Sequence, residues 1–95
     1  MKKGYWIAMV DITDPEGFEA YIGAYDEAFA KYGGRFLASS GDAAFPEGFA
    51  ATRTVIVEFD SYRNALDCYH SPEYSNALAV RRAHSTAHLA IVEGL

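Results

Sequence analysis

The apolar and polar positions in the first half of the chain predict a strand, a helix and a second strand. The apolar run Tyr5–Val10 is typical of a strand, and Asp14 before a proline is typical of a helix start, because its carboxylate can accept backbone N–H groups. Apolar residues then recur every three or four positions, so we predict one helix from Pro15 to Tyr32. Two glycines, which favour a helix end, precede the strand Arg35–Leu37.

The second half of the chain repeats this plan. Thr54–Phe59 predicts a strand, Ser61 and Ser71 predict two helix starts, and His88–Val92 predicts the closing strand. The order β-α-β-β-α-β is that of the ferredoxin-like α+β fold. We therefore predict a single domain over residues 1–95, with an antiparallel sheet in strand order 4-1-3-2 and helices on one face.

Both faces of the predicted sheet carry apolar residues. On the third strand, Val55, Val57 and Phe59 fall on one face, and Glu58 falls on the other among apolar neighbours. The first strand is apolar on both faces, which is typical of a strand covered from both sides. Helices can cover only one face, so we expect a second copy of the chain to cover the other and form a dimeric α/β barrel. The face buried in that homodimer would contain Ile7, Leu37, Ile56 and Ala90.

Composition and charge narrow the choice of partners. Hydrophobic residues make up 51% of the chain and aromatic residues 15%, which is rich for a small domain and favours a homodimer. A net charge of −5 argues against nucleic acid, whose phosphates need a basic surface. No apolar run reaches the roughly 18–20 residues of a membrane span. A single cysteine, Cys68, and no apolar leader predict a cytoplasmic protein.

Several segments together resemble one family of small bacterial proteins. These segments are Lys3–Ala8, Phe29–Leu37, Val57–Phe59, Tyr69–Tyr74 and Ile91–Gly94. The chain resembles, over its whole length, a family of dimeric α/β-barrel proteins known only as a domain of unknown function. The resemblance implies two ferredoxin-like subunits joined sheet to sheet. It also implies a distant similarity to antibiotic-biosynthesis-type monooxygenases, in a superfamily whose chemistry varies widely.

The sequence departs from its relatives at positions that matter for chemistry. His70 stands where the family usually has asparagine, and Met9 where arginine is common. The related monooxygenases often carry histidines near the positions of Cys68 and Glu73. These departures argue against transferring monooxygenase roles residue by residue.

Our first candidate site lies at the corner between the second and third predicted helices. We predict His70 as a general acid/base there, with Tyr69 or Tyr25 donating a hydrogen bond to a carbonyl. Trp6 should point from the first strand toward the helices and form a wall of the same pocket. An exposed loop histidine is the structural alternative for His70.

Our second candidate site lies on the opposite face of the sheet. A hairpin turn centred on Pro46 and Glu47 would place Arg35 opposite Glu58, where the pair could bind and deprotonate a substrate, whereas a turn at Glu47 and Gly48 would shift the partner by two residues. His88 falls on the same face. The structural alternatives are an ion pair at the dimer seam and an interface histidine.

These residues predict a small-molecule enzyme or binder that works without a cofactor. A small apolar or aromatic ligand, such as an aromatic or polyketide-like carbonyl compound, fits the aromatic-rich interior. The sequence has no phosphate-binding loop or dinucleotide motif. His84 and His88 have the spacing of helical metal ligands, but the helix should end near Ala83, so we expect no metal site. The alternative function is a non-catalytic homodimeric ligand-binding or structural accessory protein.

Overall fold

The chain folds into one four-stranded sheet with helices packed on one of its faces. The computed structural model describes residues 2–39, 41–48 and 50–95. In chain order its elements are β1 (Gly4–Ile12), α1 (Pro15–Ala24), α2 (Asp26–Tyr32), β2 (Arg35–Ser39), β3 (Arg53–Phe59), α3 (Tyr62–Tyr69), α4 (Pro72–His84) and β4 (Ser85–Glu93). The antiparallel strands lie in the order β2-β3-β1-β4, which confirms the predicted ferredoxin-like α+β fold. Within the described ranges, no helix is long and apolar enough to cross a membrane.

Side chains near the helix starts form the predicted caps. Asp14 accepts a hydrogen bond from the backbone N–H of Gly17 at 3.3 Å. Ser61 and Ser71 accept equivalent bonds at the starts of α3 and α4, at 3.0 and 3.1 Å. Gly33 adopts a φ of 75° after α2, a left-handed conformation that glycine tolerates best. These caps and the left-handed glycine determine where the helices begin and end, and so they position the side chains of the site.

The first helix is broken, contrary to our prediction of one continuous helix from Pro15 to Tyr32. Tyr25 caps α1 with its backbone N–H bonded to the carbonyl of Gly23, and α2 starts at the next residue. Gly23 weakens the helix at this point, because glycine is a poor helix former. The break leaves both Tyr25 and Phe29 buried against the sheet.

The register of the β2–β3 pair places Arg35 opposite Glu58, as predicted. The register shifts between Phe36 and Ala38, so Leu37 forms a bulge. Pro46 and Glu47 lie in a turn of the connecting segment. Two further positions of the predicted turn-rich connection, 40 and 49, lie outside the described residues.

The core lies between the sheet and the helices, with Trp6 at its centre. Its ring contacts one aromatic residue from each of α2, β3, α3 and α4, at centroid distances of 5.0–5.8 Å. Its indole Nε1 donates a hydrogen bond of 2.9 Å to the carbonyl of Ala65 in α3. The alternating residues of β1 and β3 that we predicted to face the helices are buried. The other sheet face is open, and Ile7 (41%), Leu37 (57%) and Val92 (38%) are exposed there.

A pair of glycine substitutions tests how closely β1 packs on the start of α3. A Cβ at Gly4 would lie 2.5 Å from the carbonyl oxygen of Ser61 and 2.6 Å from the Cα of Tyr62. Because both are backbone atoms, we expect Gly4→Ala to lower the free energy of unfolding by about 1–3 kcal/mol. Gly23→Ala, where no atom lies within 4 Å, should raise it by about 0.5–1 kcal/mol. Urea denaturation measures both, and equal effects of the two changes would contradict this packing.

Candidate functional site

Aromatic rings surround an inner cavity between the sheet and the helices. The cavity has a volume of about 30 Å³, which is room for one or two water molecules. Its walls include two arginines, Arg53 from β3 and Arg81 from α4. Most of the remaining wall is apolar, with rings contributed by Trp6, Phe18, Tyr21, Tyr25, Phe29 and Phe36.

A second, outer cavity of about 230 Å³ lies where α4 turns into β4. It differs from the inner cavity in its polar lining, which includes Tyr69, Arg82 and Ser85. Arg81 and Leu89 line both cavities. These two side chains therefore stand between the inner and the outer space.

Arg81 is the most unusual residue of this region. The residue is only 5% exposed, and its Nε atom is buried without a hydrogen-bond partner. None of the ion pairs formed among residues 2–39, 41–48 and 50–95 includes Arg81. A buried cation normally has a partner charge, because removing it from water is costly. The structure thus presents an unpaired positive charge at the boundary of two cavities.

Two tyrosine hydroxyls lie next to this charge. Tyr21 and Tyr74 share a hydrogen bond of 2.6 Å between their hydroxyl oxygens. Burial raises the pKa of both hydroxyls, and the nearby Arg81 guanidinium opposes that rise only in part. Both hydroxyls are therefore protonated near neutral pH and can donate hydrogen bonds but cannot act as bases. Tyr21, which lines the inner cavity, can donate to a ligand there when Tyr74 donates to Tyr21.

The structure places two predicted binding residues, Trp6 and Tyr25, in the wall of the inner cavity. The indole N–H of Trp6 already bonds to a backbone carbonyl, so this residue contributes a ring surface and no free donor. Tyr25 stacks on Phe29 at a centroid distance of 5.0 Å. Burial raises the pKa of the Tyr25 hydroxyl, and the positive charge of Arg53 acts in the opposite direction.

The helix corner brings together only part of the predicted set. Tyr69 contacts Trp6 and lines the outer cavity. His70 follows the last residue of α3 and is exposed, with its ring 5.2 Å from that of Tyr69. It lines neither of the two cavities. Tyr69 and Arg81 therefore belong to the wall of the outer cavity, and the catalytic role of His70 stays a prediction.

The second candidate set is divided between the two ends of β1. Glu58 accepts hydrogen bonds from Arg35 at 2.9 Å and from the Tyr5 hydroxyl at 3.2 Å. Arg35 also binds Asp60 at 3.1 Å, so its guanidinium is neutralised within the chain. His88 is on the same open face, but it pairs with Met9, four residues along β1 from Tyr5. This geometry favours the structural alternative for Arg35 and Glu58.

Sequence reasoning did not single out Arg81 as a functional residue. It follows Tyr74, Ala77 and Leu78 at helical spacing, and this periodicity indicates an inward position. A cation in the last turn of a helix is more often solvated, where it also interacts favourably with the helix dipole. The spacing was the signal that could have identified it.

The described residues contain neither a candidate metal site nor a reactive thiol. No group of three or more histidine, cysteine, aspartate or glutamate side chains in those ranges could hold a metal ion. Cys68 is buried, and burial raises the pKa of its thiol to about 12. The thiol is therefore protonated at neutral pH and is a poor nucleophile.

Comparisons with known proteins agree with this architecture. The family described as "Domain of unknown function (DUF1330)" matches residues 3–95. No protein of curated function matches the chain. A protein of unknown function from Rhodopseudomonas palustris, RPA0582, has a similar structure, with a TM-score of 0.81 and 17% identity over 99% of this chain and 83% of that one.

Two further solved structures share the fold at low sequence identity. SnoaB, a cofactor-independent oxygenase from Streptomyces nogalater, has a TM-score of 0.66 and 15% identity over 97% of this chain and 92% of that one. A dimeric ferredoxin-like protein of unknown function from Thermobifida fusca has a TM-score of 0.66 and 16% identity over 97% and 91%. These likenesses show the fold alone.

The Arg35–Glu58 pair predicts a pH dependence of stability. The hydrogen bond from Arg35, aided by that from Tyr5, lowers the pKa of Glu58 in the folded protein. Its contribution is complete above the ordinary glutamate pKa of about 4.3 and is lost as the pH falls through the lowered folded value. Thermal unfolding between pH 7 and pH 3 should show a smaller loss of stability for Glu58→Gln than for the wild type.

The control for this experiment is Glu19→Gln, at an exposed residue that forms none of the described ion pairs. It should keep the wild-type pH dependence. Parallel curves for Glu58→Gln and the wild type would contradict the assignment.

Proposed function

Because the chain belongs to the DUF1330 family, whose function is unknown, we propose a function from its own cavities. The protein binds a small aromatic or polyketide-like carbonyl compound between its sheet and its helices, and acts on it without a bound cofactor. The observation that carries this proposal is the unpaired Arg81 guanidinium in the wall of an aromatic-lined cavity. Ligand sites typically combine an apolar wall with a few polar groups.

The polar groups suit a carbonyl that gains negative charge during reaction. The Tyr21 hydroxyl can donate a hydrogen bond to the carbonyl oxygen. The Arg81 charge stabilises an enolate, because a fixed cation in a site with little water interacts strongly with developing negative charge. SnoaB supports this proposal as an example of the same fold in a protein described as a cofactor-independent oxygenase.

His70 remains our proposed proton acceptor for enolisation. In this step a C–H bond next to the carbonyl breaks, its proton passes through one bridging water to the imidazole, and the electron pair moves to the carbonyl oxygen. The water is needed because His70 itself lines neither cavity, whereas Tyr69, whose ring lies 5.2 Å from the imidazole, lines the outer one. The enolate oxygen would then accept a hydrogen bond from Tyr21 and be stabilised by the positive charge of Arg81.

A second candidate function is a non-catalytic homodimer that binds a ligand or supports a structure. The contact between Arg35 and Glu58 favours it, because the charge of Arg35 is compensated within the chain and is not available to a substrate. The small volume of the inner cavity also favours it. Turnover of a bound ligand distinguishes the two functions.

We propose that both functions operate in a homodimer joined through the open sheet face. Ile7, Leu37 and Val92 form exposed apolar surface there, and such surface favours association. The dimeric ferredoxin-like protein from Thermobifida fusca, which shares this fold, supports the proposal by its architecture.

Two isoleucines with similar exposure test the proposed dimer. Ile7 is 41% exposed on the open sheet face, and Ile22 is 45% exposed on α1. We expect Ile7→Lys to convert the dimer to a monomer, because the substitution would bury an unpaired charge in the interface. Ile22→Lys should leave the dimer intact. Light scattering at micromolar concentration measures both, and a monomeric wild-type protein would refute the dimer.

A pair of substitutions on β4 tests the ligand cavity. Leu89 lines both cavities, whereas Ile91 packs against the core two residues further along the same strand face. We expect Leu89→Phe to weaken the binding of benzoylacetone, an aromatic 1,3-dicarbonyl compound, by about tenfold or more, equivalent to about 1.4 kcal/mol. Ile91→Phe should bind as the wild type does. Fluorescence of Trp6, the single tryptophan, reports the binding.

Absence of wild-type binding, or equal losses in the two variants, would contradict the cavity as the site. Exchange of the benzoylacetone methylene hydrogens for deuterium in D2O that is faster with the protein than without it supports the enzyme, because enolisation breaks this C–H bond. Loss of that acceleration in His70→Ala with binding retained supports the proton acceptor. Binding without accelerated exchange supports the non-catalytic alternative.

A further inference from the structure

We infer that the ligand of this site is an anion with an apolar body, namely a small aromatic or aliphatic carboxylate. Its carboxylate lies in the outer cavity against Arg81, and its apolar part points toward the inner cavity. This inference rests on the proposed function, since it takes the two cavities to be a ligand site. To that function the inference adds the charge of the ligand and the orientation in which the ligand binds.

The charge of the outer cavity is the first argument. Its lining contains Arg81 and Arg82 and no acidic residue. A concave site with one sign of charge concentrates ligands of the opposite sign. Arg35 at the sheet edge differs from these two arginines, because it binds both Glu58 and Asp60.

The unpaired donor is the second argument. The Nε atom of Arg81 is buried without a partner in a residue that is only 5% exposed. A guanidinium binds a carboxylate through two parallel hydrogen bonds, which gives both strength and a fixed orientation. A carboxylate bound by this guanidinium would therefore compensate the charge that the described residues leave without a partner.

A hydrogen bond to its backbone carbonyl holds Arg81 in position. The hydroxyl of Ser85 donates a hydrogen bond of 2.5 Å to the carbonyl oxygen of Arg81, at the point where α4 ends. This contact fixes the last turn of the helix next to the outer cavity. Tyr69 and Arg82, which also line that cavity, are the remaining candidates to contact the carboxylate.

The connection between the two cavities is the argument for an apolar body in the ligand. Leu89 lines both of them beside Arg81, and the space beyond it is walled mainly by aromatic rings. The inner space of about 30 Å³ admits only the edge of a ring, so most of the ligand stays in the outer space of about 230 Å³. A small inorganic anion would leave the apolar surface uncovered, so we favour an organic acid.

Benzoate and benzamide form a matched pair of probes, since they share a ring and a planar head group but differ in charge. We expect the wild-type protein to bind benzoate at least about tenfold more tightly than benzamide, as measured by Trp6 fluorescence at neutral pH. Arg81→Met should remove this preference while leaving the binding of benzamide nearly unchanged. Arg81→Lys should restore part of it, because lysine keeps the charge but lacks the planar fork.

Arg63→Met is the control for loss of a positive charge. Arg63 is exposed on α3 and lines neither cavity, and among the described residues its one ion pair is with Asp67. This variant should retain the wild-type preference for benzoate. Inorganic phosphate should compete with benzoate weakly, and stronger binding of phosphate than of benzoate would overturn the apolar body of the ligand.

The outcomes separate this inference from the function on which it rests. If benzoylacetone and benzamide bind and benzoate binds no better, the anionic ligand is wrong and the cavity function stands. If none of the three binds, the proposed function itself fails. If Arg81→Met does not fold, the wild-type comparison and Arg81→Lys still decide the matter, because equal affinities for the two probes in both proteins would overturn the inference.

Discussion

The position of Trp6 in the central strand is the constraint on which the arrangement of the helices depends. Its ring contacts aromatic residues of α2, β3, α3 and α4, and its Nε1 atom binds the backbone of α3. A single side chain thus holds three helices at a fixed distance from the sheet. Large rings at this centre do not fill the space beside them completely, and the inner cavity is the gap that remains.

A comparison of the charge partners of two arginines indicates what this cavity can bind. Arg35 is half-exposed at the sheet edge and is bound by two carboxylates, so its charge contributes to the stability of the folded chain. Arg81 is buried and has no carboxylate partner among the residues described. A folded chain tolerates such a charge at a cost in stability, and that cost is characteristic of sites that bind a ligand of opposite charge. The neighbouring pair Tyr21–Tyr74 adds one neutral hydrogen-bond donor, the Tyr21 hydroxyl, to the same region when Tyr74 donates to Tyr21.

Patterns local in sequence predicted most of the fold and little of the site. Alternation in β1 and β3 identified the buried face, the caps at Asp14 and Ser71 identified helix starts, and a turn position gave the Arg35–Glu58 register. The break at Tyr25 was missed because the apolar stripe of the helix continues through it, although Gly23 weakens the helix at this point. The exposure of His70 depends on how two helices meet in space. Helical spacing indicates that Arg81 points inward, but only the assembled structure reveals that no described residue supplies a partner charge for it.

The most direct test of this account is a heteronuclear NMR titration that observes the Nε–H group of Arg81, assigned through the loss of its signal in Arg81→Lys. In the free protein this buried group has no hydrogen-bond partner. Addition of benzoate should shift its resonance in a saturable manner, and benzamide should shift it much less, while the Nε–H of Arg63 stays unchanged. An Arg81 resonance that does not respond to benzoate while other cavity residues do would contradict the central role of this charge.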